Sequence, residues 1–146
     1  MRPILLSFLL LLAACQTQPP PQPTSDPTKE PWYAQTLSRL QHINREARTA
    51  YENSDRQLAG KRVQEGQPLA SKLLTIPRPT LEAVEAASDL DQLYGEMLLS
   101  NRHYGYARQF FQKNVARWKN WRPQTPETER RRKLAEAGII EVDKHY

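Results

Sequence analysis

From Trp32 onward, apolar residues recur at intervals of three and four, the spacing that lines one face of a helix. Leu37, Leu40, Ile43, Ala47, Ala50, Tyr51 and Leu58 predict a first helix from about Trp32 to Leu58, with Thr28 or Glu30 near its start. Gly60, Gly66 and Pro68 then interrupt the pattern. The stretch "GKRVQEGQPLASKLLTIPRP" therefore reads as a linker holding at most a short helical turn at Leu69–Leu74, ended by Pro77 and Pro79. A second helix is expected from about Thr80 to Ser100, with Thr80 as cap and Glu82 and Glu85 at its positive end. On its wheel Leu90, Leu93, Tyr94, Met97 and Leu98 share one side, and Glu82, Glu85, Asp89 and Glu96 another.

A third helix is expected from about Tyr104 to Trp121. The fourth opens on "TPET", with Thr125 as cap, Pro126 in the first helical position and Glu127 and Glu129 in the first turn. Gly138 marks its expected end. The tail "IIEVDKHY" reads either as a short strand or as a segment packed on the helices. No internal repeat emerges from the pattern. The predicted fold is mainly α: a small bundle of about three to four helices with a short C-terminal strand as one option.

The first residues follow different rules. After Arg2, the apolar run Ile4–Ala14 is far shorter than the roughly 20 residues that cross a bilayer core. A short positive start, a leucine-rich run and small residues form an export-signal pattern. Residues 16–31, "QTQPPPQPTSDPTKEP", favour extended polyproline geometry, which at about 3.1 Å per residue reaches roughly 50 Å. Pro19-Pro20-Pro21 lacks the flanking basic residue of a groove-binding ligand, so the tract reads first as a spacer.

Leu12-Ala13-Ala14-Cys15 resembles the lipobox of bacterial lipoproteins, with Leu12 at the aliphatic position and Ala13 and Ala14 at the small ones. The resemblance implies cleavage before Cys15, diacylglycerol on its sulfur and an N-acyl chain such as palmitate on the new terminus. The organisation it implies is a signal at 1–14, a lipidated proline-rich tether at 15–31 and a helical domain at 32–146. In a Gram-negative source, Gln16 resembles the residue that sends such proteins to the periplasmic face of the outer membrane. One acyl chain attaches only reversibly, whereas two or more anchor. Cys15 is the sole cysteine, so a disulfide within the chain and a free catalytic thiol both drop out once it is acylated.

Charge changes the picture of the body. The formal net charge is +5, but the segregation is local. Thr80–Glu96 holds Glu82, Glu85, Asp89, Asp91 and Glu96 with no Lys or Arg. Met97–Pro126 holds Arg102, Arg108, Lys113, Arg117, Lys119 and Arg122 with no acid. One reading is an antiparallel hairpin whose flanks attract weakly. The other starts from "YGYARQFFQKNVARWKNW", where Tyr106, Phe110, Phe111, Val115, Trp118 and Trp121 share a half-circle bordered by Arg108, Lys113, Arg117 and Lys119. Such a face forms core or docks to a membrane or partner. Arg108, Lys113, Arg117, Trp118, Lys119 and Trp121 are thus the candidate binding residues.

Catalytic chemistry finds little support. His42, His103 and His145 form no metal-binding motif, so no metal or other cofactor is expected. Glu82, Glu85 and Asp89 share one helical flank, whereas cooperating acids need opposed placement. Ser100 and His103 lack a charge-stabilising motif. The aromatic spacing is that of a packed helix with no reader motif, and "RRRK" at Arg130–Lys133 is surrounded by glutamates, which argues against nucleic acid. The expectation is an outer-membrane-anchored accessory or scaffold subunit of an envelope complex, in secretion, exclusion or envelope maintenance, rather than an enzyme. Its expected partners are the membrane, an envelope protein and a second copy of itself. Direct binding of peptidoglycan or anionic lipid is the first alternative, and a small envelope hydrolase with dispersed catalytic residues the second.

Overall fold

The computed structural model describes residues 25–146. The signal, Cys15 and the tract through Thr24 lie outside the described residues. The chain forms a 3-10 turn at Pro27–Lys29, then α1 (Pro31–Glu52), α2 (Arg56–Leu74), α3 (Leu81–Ser100), α4 (Tyr104–Asn120) and α5 (Pro126–Asp143). The fold is a helical bundle. Asp26 caps the opening turn, accepting from the Thr28 backbone N–H at 3.0 Å, so ordered structure begins ahead of Trp32.

The first expected helix is two helices. α1 stops at Glu52 because Ser54 takes a left-handed conformation (φ 63°). Asp55 then caps α2, accepting from the Leu58 N–H at 3.0 Å. The expected linker is α2 itself, running through Gly60, Gly66 and Pro68. Gly66 is buried where a Cβ would stand 3.0 Å from a Leu90 methyl, so its bareness serves close packing rather than a turn. Pro68 is exposed, as is Gln64, whose carbonyl loses its helical donor, so water can supply that bond.

The other starts follow expectation. Thr80 caps α3 through the Ala83 N–H. Thr125 and Thr128 form a reciprocal cap at α5, with Pro126 in the first position. Gly138 does not end α5. The helix continues to Asp143, and no strand forms among the described residues. A Cβ at Gly138 would lie 2.7 Å from the Phe111 ring, and one at Gly95 likewise 2.7 Å. Phe111 is fully buried, wedged between α3 and α5 by two missing side chains.

The structure reveals a repeat that the hydrophobic pattern conceals. α1–α2 and α3–α4 are the same hairpin twice. Both turns open with asparagine, Asn53 and Asn101, followed by a residue at φ 63°, Ser54 and Arg102. The closing bonds match: Asp55 N–H to Ala50 O and His103 N–H to Leu98 O are both 2.8 Å. Ser54 to Tyr51 and Arg102 to Leu99 are both 3.0 Å, completing the same Schellman motif. Buried Ala47, Ala59, Val63 and Gly66 recur at identical spacing as buried Gly95, Ala107, Phe111 and Asn114.

α3 joins the two hairpins. Ala83, Ala86, Leu90, Leu93 and Met97 enter the core shared with α1 and α2. Tyr33 of α1 accepts from the Thr80 N–H at 3.0 Å, tying the first turns of α1 and α3 together. α5 packs on the second hairpin with Thr128, Arg131, Ala135, Gly138 and Val142, the spacing α3 uses on the first. Its outer face carries ion pairs from Arg132 to Glu129 and Glu136 and from Lys133 to Glu129.

Candidate functional site

Serial stacking turns α1, α3 and α5 toward one side, and together they line an open groove of about 670 Å³. α1 contributes Gln41, Asn44, Arg45 and Arg48, α3 contributes Glu82, Glu85, Asp89 and Gln92, and α5 contributes Arg130, Arg131 and Leu134. Asn44 ties α1 to α3 by donating to the Ala86 carbonyl at 2.7 Å, a bond that holds the carboxamide in the groove wall. Arg48 reaches across to Glu96, which also accepts from Gln92 at 3.1 Å.

Arg131 organises the other wall. Its side chain is only 13% exposed and lies over the Trp118 ring, 5.7 Å from the centroid. The guanidinium contacts Glu127 at 2.8 Å, Glu85 at 3.7 Å and Asp89. Burial pushes the Glu85 carboxyl above its usual range, with nearby Arg131 opposing the shift. Hydrogen bonds from Arg130 lead the interactions that hold Glu127 down to about 2. The "RRRK" run therefore divides by direction: Arg131 turns inward, while Arg130, Arg132 and Lys133 pair along α5. The floor of acids between walls of arginine can bind a segment of mixed polarity by hydrogen bonds and ion pairs.

The residues expected to form a basic-aromatic surface on α4 are placed unevenly. Trp118 is fully buried and donates to Ser88 Oγ at 2.8 Å, so it belongs to the core with Phe111. Arg117 is 11% exposed and pairs with Asp91 at 2.8 Å, joined by Lys113 at 3.0 Å. These bonds realise the expected attraction between the acidic and basic helices. Arg108 pairs with Asp143 of α5 instead. Lys119 is exposed and Trp121 half-buried at the end of α4. Tyr106 and Phe110 lie away from Trp118 in a surface pocket with Tyr94, Leu98 and His103.

Among the residues considered for chemistry, Glu82, Glu85 and Asp89 meet in the groove. His42 is exposed near Glu46, His103 borders the aromatic pocket, and His145 stacks on Tyr104 at 4.4 Å between centroids. Among the described residues no group of three His, Cys, Asp or Glu side chains is arranged to hold a metal ion, and no helix is long and apolar enough to cross a membrane. The groove residues Gln41, Asn44 and Arg45 escaped sequence reasoning because they read as the solvated side of a helix. The hidden repeat was the one signal that would have aligned them with α3 and α5. Comparison with protein-family models, curated proteins and solved structures finds no match.

Proposed function

We propose that this chain is a lipid-anchored scaffold of the bacterial envelope, holding an extended segment of a partner protein in the groove of α1, α3 and α5. The supporting observation is that three alternate helices line one continuous groove rather than each packing away its polar face. Serial helical hairpins use such concave surfaces for recognition. Cys15 supplies the anchor through diacylglycerol and an N-acyl chain, and residues 16–31 supply the reach from the outer membrane into the periplasm. Scaffolding gains more support than polymer binding by α4, because Trp118 is fully buried in the core and the expected basic-aromatic face is not presented whole.

The test places a photo-crosslinking residue at Arg45, Glu82 or Lys119 of the full chain in its native cells. Arg45 and Glu82 should capture one shared protein partner that Lys119, on α4, does not. Capture from Lys119 alone refutes the groove. The anchor has its own test: Cys15→Ser should abolish labelling by a palmitate analogue and release the chain from membranes, and a chain still membrane-bound without label refutes it.

A further inference from the structure

The repeated hairpin provides its own internal comparison. Glu46 and Arg62 of the first hairpin occupy the positions of Tyr94 and Phe110 of the second. The first closes there with an ion pair, Arg62 Nε to Glu46 at 3.1 Å. The second closes with an edge-to-face aromatic pair, centroids 4.8 Å apart. Asp55 and Leu58 likewise stand where His103 and Tyr106 do. The same backbone turn therefore forms without aromatic residues at these positions. Tyr94, Leu98, His103, Tyr106 and Phe110 line a pocket of about 260 Å³, with Tyr94 and Leu98 backed by the buried cores. A second depression of about 470 Å³ shares Tyr106 and His103 and adds Arg102, Gln109 and Tyr146. Tyr106, 64% exposed, is the ridge common to both.

We propose that this double depression docks the proline-rich segment Gln16–Thr24 of a second copy of the chain. Polyproline strands repeat every three residues and seat their rings between exposed aromatic side chains at small ordering cost. Pro20 and Pro23 hold that spacing, and no residue from Gln16 to Thr24 is charged, so seating the tract desolvates no ion. Gln18 and Gln22 bring amides that can meet Arg102 and Gln109 at the rim.

Geometry selects the second copy. The pocket borders the Asn101–His103 turn, which lies beside the first hairpin's turn through Arg56 and Asn101, 3.2 Å apart. That end is opposite the Pro27–Lys29 turn, across the 22 residues of α1, about 33 Å at 1.5 Å per residue. From Pro20 to Ser25 the chain reaches only roughly 15 Å at about 3.1 Å per residue. Its own prolines fall short, so the tract seated there comes from another copy.

The test titrates a peptide of residues 16–25 into the full chain carrying Pro20→Ala, Pro21→Ala and Pro23→Ala, followed by NMR of the aromatic rings. Saturable shifts at Tyr94, Tyr106 and Phe110 are expected, and a peptide with the same three alanines should produce none. Tyr94→Glu with Phe110→Arg installs the ion pair that already closes the first hairpin. It should preserve the circular dichroism spectrum and weaken peptide binding at least tenfold. Sedimentation should show concentration-dependent association of the unaltered chain that the triple-alanine chain lacks. The absence of saturable shifts, or shifts confined to the α1, α3 and α5 groove, overturns the proposal. Shifts at the same rings with phosphatidylglycerol vesicles but not with the peptide assign the patch to lipid, and likewise overturn it.

Discussion

Replacing Gly138 by alanine sets two opposed effects against each other. Alanine in a helix interior is favoured over glycine by about 1 kcal/mol. At Gly138, however, the new methyl would meet three Phe111 ring atoms at 2.7–2.8 Å, far inside contact distance. Phe111 is fully buried with Gly95 on its other side, so the ring cannot simply withdraw. Overpacking of this kind costs about 1–3 kcal/mol, leaving a net loss of about 1 kcal/mol. For a domain of this size that lowers Tm by about 4 °C. Gly60 is the control: its added methyl meets only Met97 Cε at 3.8 Å, an ordinary contact. Gly60→Ala should therefore raise stability by about 1 kcal/mol. Urea unfolding of both variants, read by far-UV circular dichroism, measures the contrast. In a Phe111→Leu background the Gly138→Ala penalty should vanish, because the wedge is gone. If Gly138→Ala stabilises as much as Gly60→Ala with Phe111 intact, the wedge is not what positions α5.

The repeated turns lead to a second expectation: Ser54→Gly and Arg102→Gly, each relieving a left-handed residue at φ 63°, should raise stability by about 0.5 kcal/mol in the same assay. Trp118→Phe, which removes the buried donor to Ser88 Oγ, should lower it by about 2 kcal/mol. The folded pKa of Glu127, about 2, lies below its ordinary value. Its contribution is thus present above the unfolded pKa and fades as pH falls from about 5 toward 2. Glu127→Gln should flatten that limb of a stability–pH profile. Glu85 shifts upward, so its ionised form disfavours folding, and Glu85→Gln should raise stability at neutral pH with the gain disappearing in acid.

The sequence disclosed what local chemistry controls. Thr80 and Thr125 announced two helix starts, and the bundle class followed from the three-and-four spacing. The break between α1 and α2 was missed because Ala50, Tyr51 and Leu58 continue an apolar phase across it, while Asp55, the actual cap, looks like any surface acid. Gly66, Pro68 and Gly138 misled for one shared reason. A glycine that permits close approach and a glycine that ends a helix are identical in sequence, and a solvent-facing proline is tolerated only once tertiary contacts hold the helix. The repeat was hidden because tolerant packing kept the spacing but changed the residues: Val63 answers Phe111, and Gly66 answers Asn114. On α4 a single wheel could not separate Phe111 and Trp118, turned to the core, from Tyr106 and Phe110, turned to the surface. Of the groove only the α3 flank of Glu82, Glu85 and Asp89 was legible, because the rest is assembled by polar residues of α1 and α5.

The bond between Tyr33 and Thr80 bears on how this molecule responds to mechanical load. A pull arriving through the residues before Ser25 enters at the opening 3-10 turn and tends to peel α1 away from its first turn. Tyr33 sits where that peeling begins, and its hydroxyl is the first fastening to the neighbouring hairpin, ahead of Asn44 and Arg48. Tension would thus strip one wall from the α1, α3 and α5 groove while the second hairpin, gripped by α5 through Phe111, stayed closed. In the proposed tethered scaffold, a load on the tether would loosen the groove before it disturbs the aromatic end.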